Sequence, residues 1–196
     1  NVFGASAQLD AYYAAFRIPD MIYTILIMSS VVVVFLPMFQ KHREQGGEER
    51  AWRFSSEIFN SLLLLVLSGI ILVMLGADYL VPLYVPGFSP EKQHLTAQLM
   101  RIMLFSPFFF TMSSFFISIE NAFHRFTTQS LAPILYNLGI LGGIWFFAPH
   151  FGVYGLAWGV VLGALAQMLI QIPAVYRLGF RWKPILISRR ELKEFC

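Results

Sequence analysis

The chain has 196 residues, of which 57% are hydrophobic and only 13% charged, with twenty Phe, eight Tyr and four Trp. Soluble domains carry about 25% charge, and a soluble fold of this length could not hide so much apolar surface, so lipid is the solvent for much of it. A net charge of +3 is too small to mark a nucleic-acid partner, and the single cysteine, Cys196, excludes an intrachain disulfide.

Five hydrophobic segments follow one another. The first runs from about Ala7 to Phe39, with Pro19 inside it and Pro37 near its end. It carries Asp10, Arg17 and Asp20, whose spacing turns all three roughly the same way on a helix. A charged group at mid-bilayer costs on the order of 3 kcal/mol, so such groups usually face a cavity or a partner. Asp10 reads either as a cavity group or as a solvated interfacial carboxylate, and Arg17 with Asp20 either as a functional pair or as a structural one. Pro19 removes a helix hydrogen bond beside these charges, and a bend there is one way to open a polar space at membrane depth.

The second segment, about Phe54 to Val85, includes "SLLLLVLSGIILVML". It lacks the period-two alternation of a barrel strand, so it is a helix, as is the Val31–Val34 run in lipid. Asp78 near its end reads as solvated. The third, about Leu95 to Phe123, holds Pro107. It opens with Arg101, a cavity cation or a snorkelling anchor, and ends in Glu120 and Asn121, which read with Arg125 as an interfacial cluster. The fourth, about Leu131 to Ala148, has Asn137 at its centre, where a single Asn is most often glue between helices. The fifth, about Val153 to Tyr176, carries Gln167 and Gln171 one turn apart and the small-residue spacings Gly155/Gly159 and Gly159/Gly163. Those glycines predict close packing of the fourth and fifth helices. A spanning helix needs about 20 residues, and the longer segments must tilt or kink.

The breaks give orientation. Eleven basic residues lie in "QKHREQGGEERAWR", in "HRFTTQ" and after the fifth segment, all on one side, whereas the other side has only Lys92. The positive-inside rule puts the eleven in the cytoplasm, so the stretch begins outside and ends inside. The short breaks "VPGFSPE" and "APHFGVYG" read as tight outer turns. The start, "NVFGASAQ", has no basic signal-peptide region and no Met, and the end, "RRELKEFC", closely follows a hydrophobic segment. The expectation is an internal piece of a longer membrane protein. The four His residues are scattered, and there is no HExxH, GxSxG or Walker motif, so neither an enzyme nor a metal or cofactor is expected.

Several blocks resemble a known family. "FGASAQLDAYYAAFRIPD" is similar to the FGA-x4-DAF-x2-AF-[KR]-x-P-[ND] signature of the MurJ (MviN-type) lipid II flippases. "FLPMFQKHRE", "ENAFHRFTTQSLAPILYNLGI" and "YGLAWGVVLGALAQMLIQIP" resemble later blocks of that family, in its order. The resemblance implies an all-α polytopic membrane bundle, with residues 1–196 as helices two to six of a six-helix N-terminal lobe in a two-lobe exporter of the bacterial inner membrane. It implies as cargo lipid II, an undecaprenyl-pyrophosphate-linked saccharide, moved by alternating access of the lobes through a polar, partly cationic cavity. The implied partners are that cargo, membrane lipids and the rest of the chain, namely a first helix and a C-terminal lobe. The implied substrate-binding residues are Asp10, Arg17 and Arg101, and Asp20 and Asn137 join them as polar groups at membrane depth. Tyr23, Thr24 and Met28 stand where many members have two arginines and an acidic residue. Either Arg17 and Arg101 take over the cationic role, with help from the upstream helix, or the cargo differs. An exporter of the same fold for another polyprenyl-linked glycan or a drug, or a scaffold with a degenerate cavity, are the alternatives.

Overall fold

The structure, a computed structural model, describes residues 7–28 and 31–185. It is helical almost throughout: α1 (Ala7–Met28), α2 (Val31–Tyr84), α3 (Pro90–Met103), α4 (Phe105–Ala122), α5 (Thr127–Gly142), α6 (Ala148–Phe151), α7 (Val153–Leu169) and α8 (Ile172–Arg177), with a π-helical turn at Gly143–Phe147 between α5 and α6. Four stretches of the described residues are long and apolar enough to cross a membrane, namely 34–84, 90–122, 127–151 and 153–177.

The first of these stretches is two arms. Gly46 and Gly47 leave helical geometry, and Gly47 adopts φ 72° and ψ −175°, which glycine reaches without a Cβ clash. Phe35 and Phe54 would lie about 28 Å apart along a straight helix, yet their rings stack at 6.1 Å. The chain therefore reverses at the glycine pair, inside the most charged break, and Arg43 reaches Glu48 across the turn at 3.3 Å. The first predicted segment is thus α1 plus the first arm of α2, with residues 29–30 outside the described ones. The second predicted segment is the second arm.

Proline chemistry explains the next division. The third predicted segment starts earlier, at Pro90, where Ser89 caps α3 by accepting from the Lys92 backbone N–H at 3.4 Å. It breaks at Leu104. Pro107 has no N–H to give the Met103 carbonyl one turn back, and that carbonyl instead accepts the Ser106 hydroxyl at 2.7 Å. The fourth predicted segment is α5, the π turn and α6, and the fifth is α7 and α8.

Two cores hold the helices. Towards the end with few basic residues, Ala11 and Ala15 of α1 pack with Val66, Met100, Leu104, Leu156 and Val160. Towards the basic end the core is aromatic: Phe35, Phe39, Phe54, Phe115 and Phe180 lie close together. The predicted glycine seam is present. Gly139 of α5 meets Gly163 of α7 so closely that a Cβ on Gly139 would stand 2.2 Å from the Gly163 Cα, and one on Gly143 would stand 2.6 Å from the Gly159 Cα. Gln167 and Gln171 both donate to the Ser113 hydroxyl of α4, at 3.2 and 2.5 Å, so the two amides join α7 and its continuation to α4.

At the basic end the chain after α8 is tied to α2. The Asn60 amide donates to the carbonyls of Lys183 and Ile185, both at 2.7 Å, and accepts the Trp182 indole N–H at 2.7 Å. Glu120 differs from its expected interfacial position. It is fully buried and accepts the Thr128 hydroxyl, because the α4–α5 turn folds over the end of α4. The outward faces are greasy, as lipid contact requires: Leu64, Leu72, Leu75 and Leu83 on α2, and Ile134, Leu138 and Leu141 on α5, are exposed.

Candidate functional site: the open polar face of α1

One exposed face departs from that pattern. Asp10, Tyr13, Arg17, Asp20 and Thr24 of α1 are all exposed. Their spacing alternates three and four residues, so they form a single stripe down the helix. The opposite face is fixed against α3 and α4 by Ala11 and Ala15, both fully buried, with Leu9, Tyr12 and Phe16 around them. Small residues on the packed side let α1 lie close to its neighbours, and that packing sets the rotation that turns the charges outward. α1 stays helical through Pro19.

The stripe has structure of its own. Asp10, 64% exposed, pairs with Lys92 at the start of α3 at 2.8 Å. The Arg17 guanidinium stands 5.8 Å from the centre of the Tyr84 ring, at the end of α2. Among the described residues Arg17 makes no ion pair with Asp20. Beside the stripe, the Tyr23 hydroxyl is 3.4 Å from that of Ser114, and its ring packs on Phe110, which packs in turn on Tyr136.

The other sequence-selected residues lie elsewhere. Arg101 is held at the α2–α3 seam, donating to Asp78 at 2.6 Å and to the Met74 carbonyl at 3.3 Å. Asp78, read as merely solvated from the sequence, is its partner. Asn137 is exposed on α5 and donates to the Pro133 carbonyl one turn back at 2.9 Å, a bond within its own helix. The structure therefore groups Asp10, Arg17 and Asp20 and leaves Arg101 and Asn137 apart from them. Sequence reasoning missed Tyr13 and Thr24, whose spacing from Asp10 and Arg17 would have found them, and Lys92, which no local spacing connects to Asp10. Among the described residues no cluster of three His, Cys, Asp or Glu side chains could hold a metal ion.

The family model described as lipid II flippase MurJ matches residues 1–196. The chain belongs to the MurJ family. Among its relatives, a probable lipid II flippase MurJ of Buchnera aphidicola subsp. Acyrthosiphon pisum is 31% identical over 96% of this chain and 39% of the relative. A probable lipid II flippase MurJ of Bdellovibrio bacteriovorus is 35% identical over 89% of this chain and 34% of the relative, and the lipid II flippase MurJ of Burkholderia cenocepacia is 28% identical over 91% and 35%. A solved structure of lipid II flippase MurJ in an inward closed conformation superposes with a TM-score of 0.80 at 24% identity, covering all of this chain and 40% of that one. The chain thus shares a MurJ fold and spans two-fifths or less of the length of these relatives. It is a multi-pass membrane protein by family and by its apolar helices.

Proposed function

We propose that this chain is most of the N-terminal lobe, helices two to six, of a lipid II flippase of the bacterial inner membrane, and that the α1 stripe lines the path of the cargo headgroup. The observation that carries the reading is the stripe itself. Asp10, Arg17 and Asp20 are exposed in one stripe, whereas the outward faces of α2 and α5 carry many exposed apolar side chains such as Leu72, Leu75, Ile134 and Leu138. Charges facing hydrocarbon would each cost on the order of 3 kcal/mol, so the stripe faces water and the parts of the protein that lie beyond this chain. A hydrated, charged wall lets a polar, anionic headgroup cross while its polyprenyl tail stays in lipid. Rocking of two lobes about such a wall gives alternating access.

Arg17 and Lys92 are the cations on this wall, and Asp10 and Asp20 are polar groups that hold water and set cation positions. Arg101 and Asn137 remain proposed contributors, reached when the lobes rearrange. The test is rescue of growth in flippase-depleted bacteria by the full-length protein, with Asp10→Ala and Arg17→Ala as variants. Rescue by the parent and its loss in both variants, at equal membrane abundance, is the predicted result. Normal growth of both variants rejects the site assignment. Failure of the parent to rescue despite insertion rejects lipid II as cargo. It favours another polyprenyl-linked glycan, a reading supported by Tyr23 and Thr24 at the positions where many family members carry arginine.

A further inference from the structure

The turn between α2 and α3 brings aromatic rings and cations together at the outer end of the stripe. Lys92 is only 19% exposed, although its Nζ reaches the far more exposed Asp10 at 2.8 Å. The same Nζ stands 3.9 Å from the centre of the Phe88 ring. Four residues earlier, at the end of α2, Tyr84 carries the Arg17 guanidinium at 5.8 Å. Two cations from two different helices therefore rest on rings supplied by the end of α2 and the turn that follows it. The rings add attraction without competing for hydrogen bonds, so the donors stay directed at other groups.

Of the two, Lys92 has the better-defined acceptor. Its backbone is fixed because it lies in the first turn of α3, where its N–H meets the Ser89 cap. An ammonium on a carboxylate makes a strong charge-assisted hydrogen bond. The carboxylate here is on the exposed side of the pair, in the position a phosphate oxygen would take on arriving along the stripe. A pyrophosphate oxygen presents the same acceptor chemistry with more charge.

We propose that Lys92 is a substrate-contacting residue, held ready by Asp10, and that an incoming lipid-linked pyrophosphate displaces Asp10 from it. Arg17 on the neighbouring ring takes a second phosphate oxygen. The exchange is ion pair for ion pair, so Lys92 is never left without an acceptor while it is covered, which would be costly. This inference rests on the flippase reading and adds to it a cation from outside α1 and an order of events: Asp10 leaves as the phosphate arrives.

The two carboxylate–ammonium partners should then affect binding in opposite directions. The experiment measures binding of undecaprenyl pyrophosphate, and separately of inorganic pyrophosphate, to the purified full-length protein in detergent, with thermal midpoints recorded alongside. Lys92→Ala and Lys92→Gln should each weaken binding of the lipid about tenfold, Lys92→Arg should keep it, and Asp10→Asn should tighten it. Loss of inorganic pyrophosphate binding in the same Lys92 variants assigns the contact to the phosphates rather than to the tail. The proposal is overturned if Lys92→Gln binds like the parent, or if Asp10→Asn does not tighten binding, because the pair would then be only a clamp between α1 and α3. These failures leave the flippase reading intact. Failure of that reading appears separately, as a parent protein that neither binds the lipid nor rescues growth.

Discussion

Replacing Gly139 by Ala tests the packing of α5 on α7 most sharply. The new Cβ would stand 2.2 Å from the Gly163 Cα, 2.5 Å from its N and 3.2 Å from the Gly159 carbonyl oxygen. Ordinary carbon–carbon contact is about 3.5–4.0 Å, so the two backbones must separate by more than 1 Å along the seam. The obstacle is main chain, so no side-chain rotation relieves it. Overpacking of this kind costs about 1–3 kcal/mol, and separation also loosens the Gly143–Gly159 contact, where a Cβ has only 2.6 Å of clearance. Helix propensity pulls the other way, because Ala is better than Gly in a helix by about 1 kcal/mol. Gly142 is the control: a Cβ there meets nothing within 4 Å, so Gly142→Ala keeps the propensity gain without the clash. The full-length protein should lose thermal stability in detergent with Gly139→Ala and keep or gain it with Gly142→Ala. Equal midpoints for the two variants would refute the close-packed seam.

Two further perturbations act on polar contacts between helices. Ser113→Ala removes the acceptor shared by the amides of Gln167 and Gln171; the buried Gln171 amide keeps the Gln167 carbonyl at 3.0 Å, so the loss is that of hydrogen bonds linking α4 to α7, about 0.5–1.5 kcal/mol, read as a lower midpoint, with Ser113→Thr milder because a hydroxyl remains. Arg101 and Asp78 form one partly exposed pair. A double-mutant cycle on Arg101→Gln and Asp78→Asn should therefore give a small favourable coupling that shrinks as salt is raised, and a coupling of zero would show that the ion pair contributes nothing to the α2–α3 seam.

Much of the architecture was legible in the chain. Backbone groups in lipid must bond within their own segment, so long apolar runs leave few choices besides helices. The basic residues cluster on alternate breaks, and glycines four apart announce a close approach. The reversal at Gly46–Gly47 falls in the charged break where the sequence put the first cytoplasmic turn. The division of α3 from α4 was less legible. Pro107 announces a lost bond, but whether a helix kinks or splits depends on a substitute donor, here the Ser106 hydroxyl.

The site was legible only within a helix. Spacing aligns Asp10, Arg17 and Asp20 because they share α1, and it would have added Tyr13 and Thr24. It could not pair Asp10 with Lys92, which follows it by most of two crossings, nor turn Asp78 from a solvated group into the partner of Arg101. Glu120 failed for the same reason. Its place near a helix end suggested water, yet burial there is decided by how the α4–α5 turn folds over the end of α4, with Thr128 as the donor. Tertiary proximity, rather than residue type, sets the role of each of these charges.

Passage of a polar headgroup requires the α1 stripe to face an aqueous space in the assembled protein. Single cysteines at Tyr13, Asp20 and Thr24, in an otherwise cysteine-free full-length protein in intact membranes, should react with a membrane-impermeant maleimide, while cysteines at the exposed Leu72 and Leu75 on α2 should not. Labelling of positions 13, 20 and 24 no faster than that of 72 and 75 would place the charges of α1 against lipid and contradict the account.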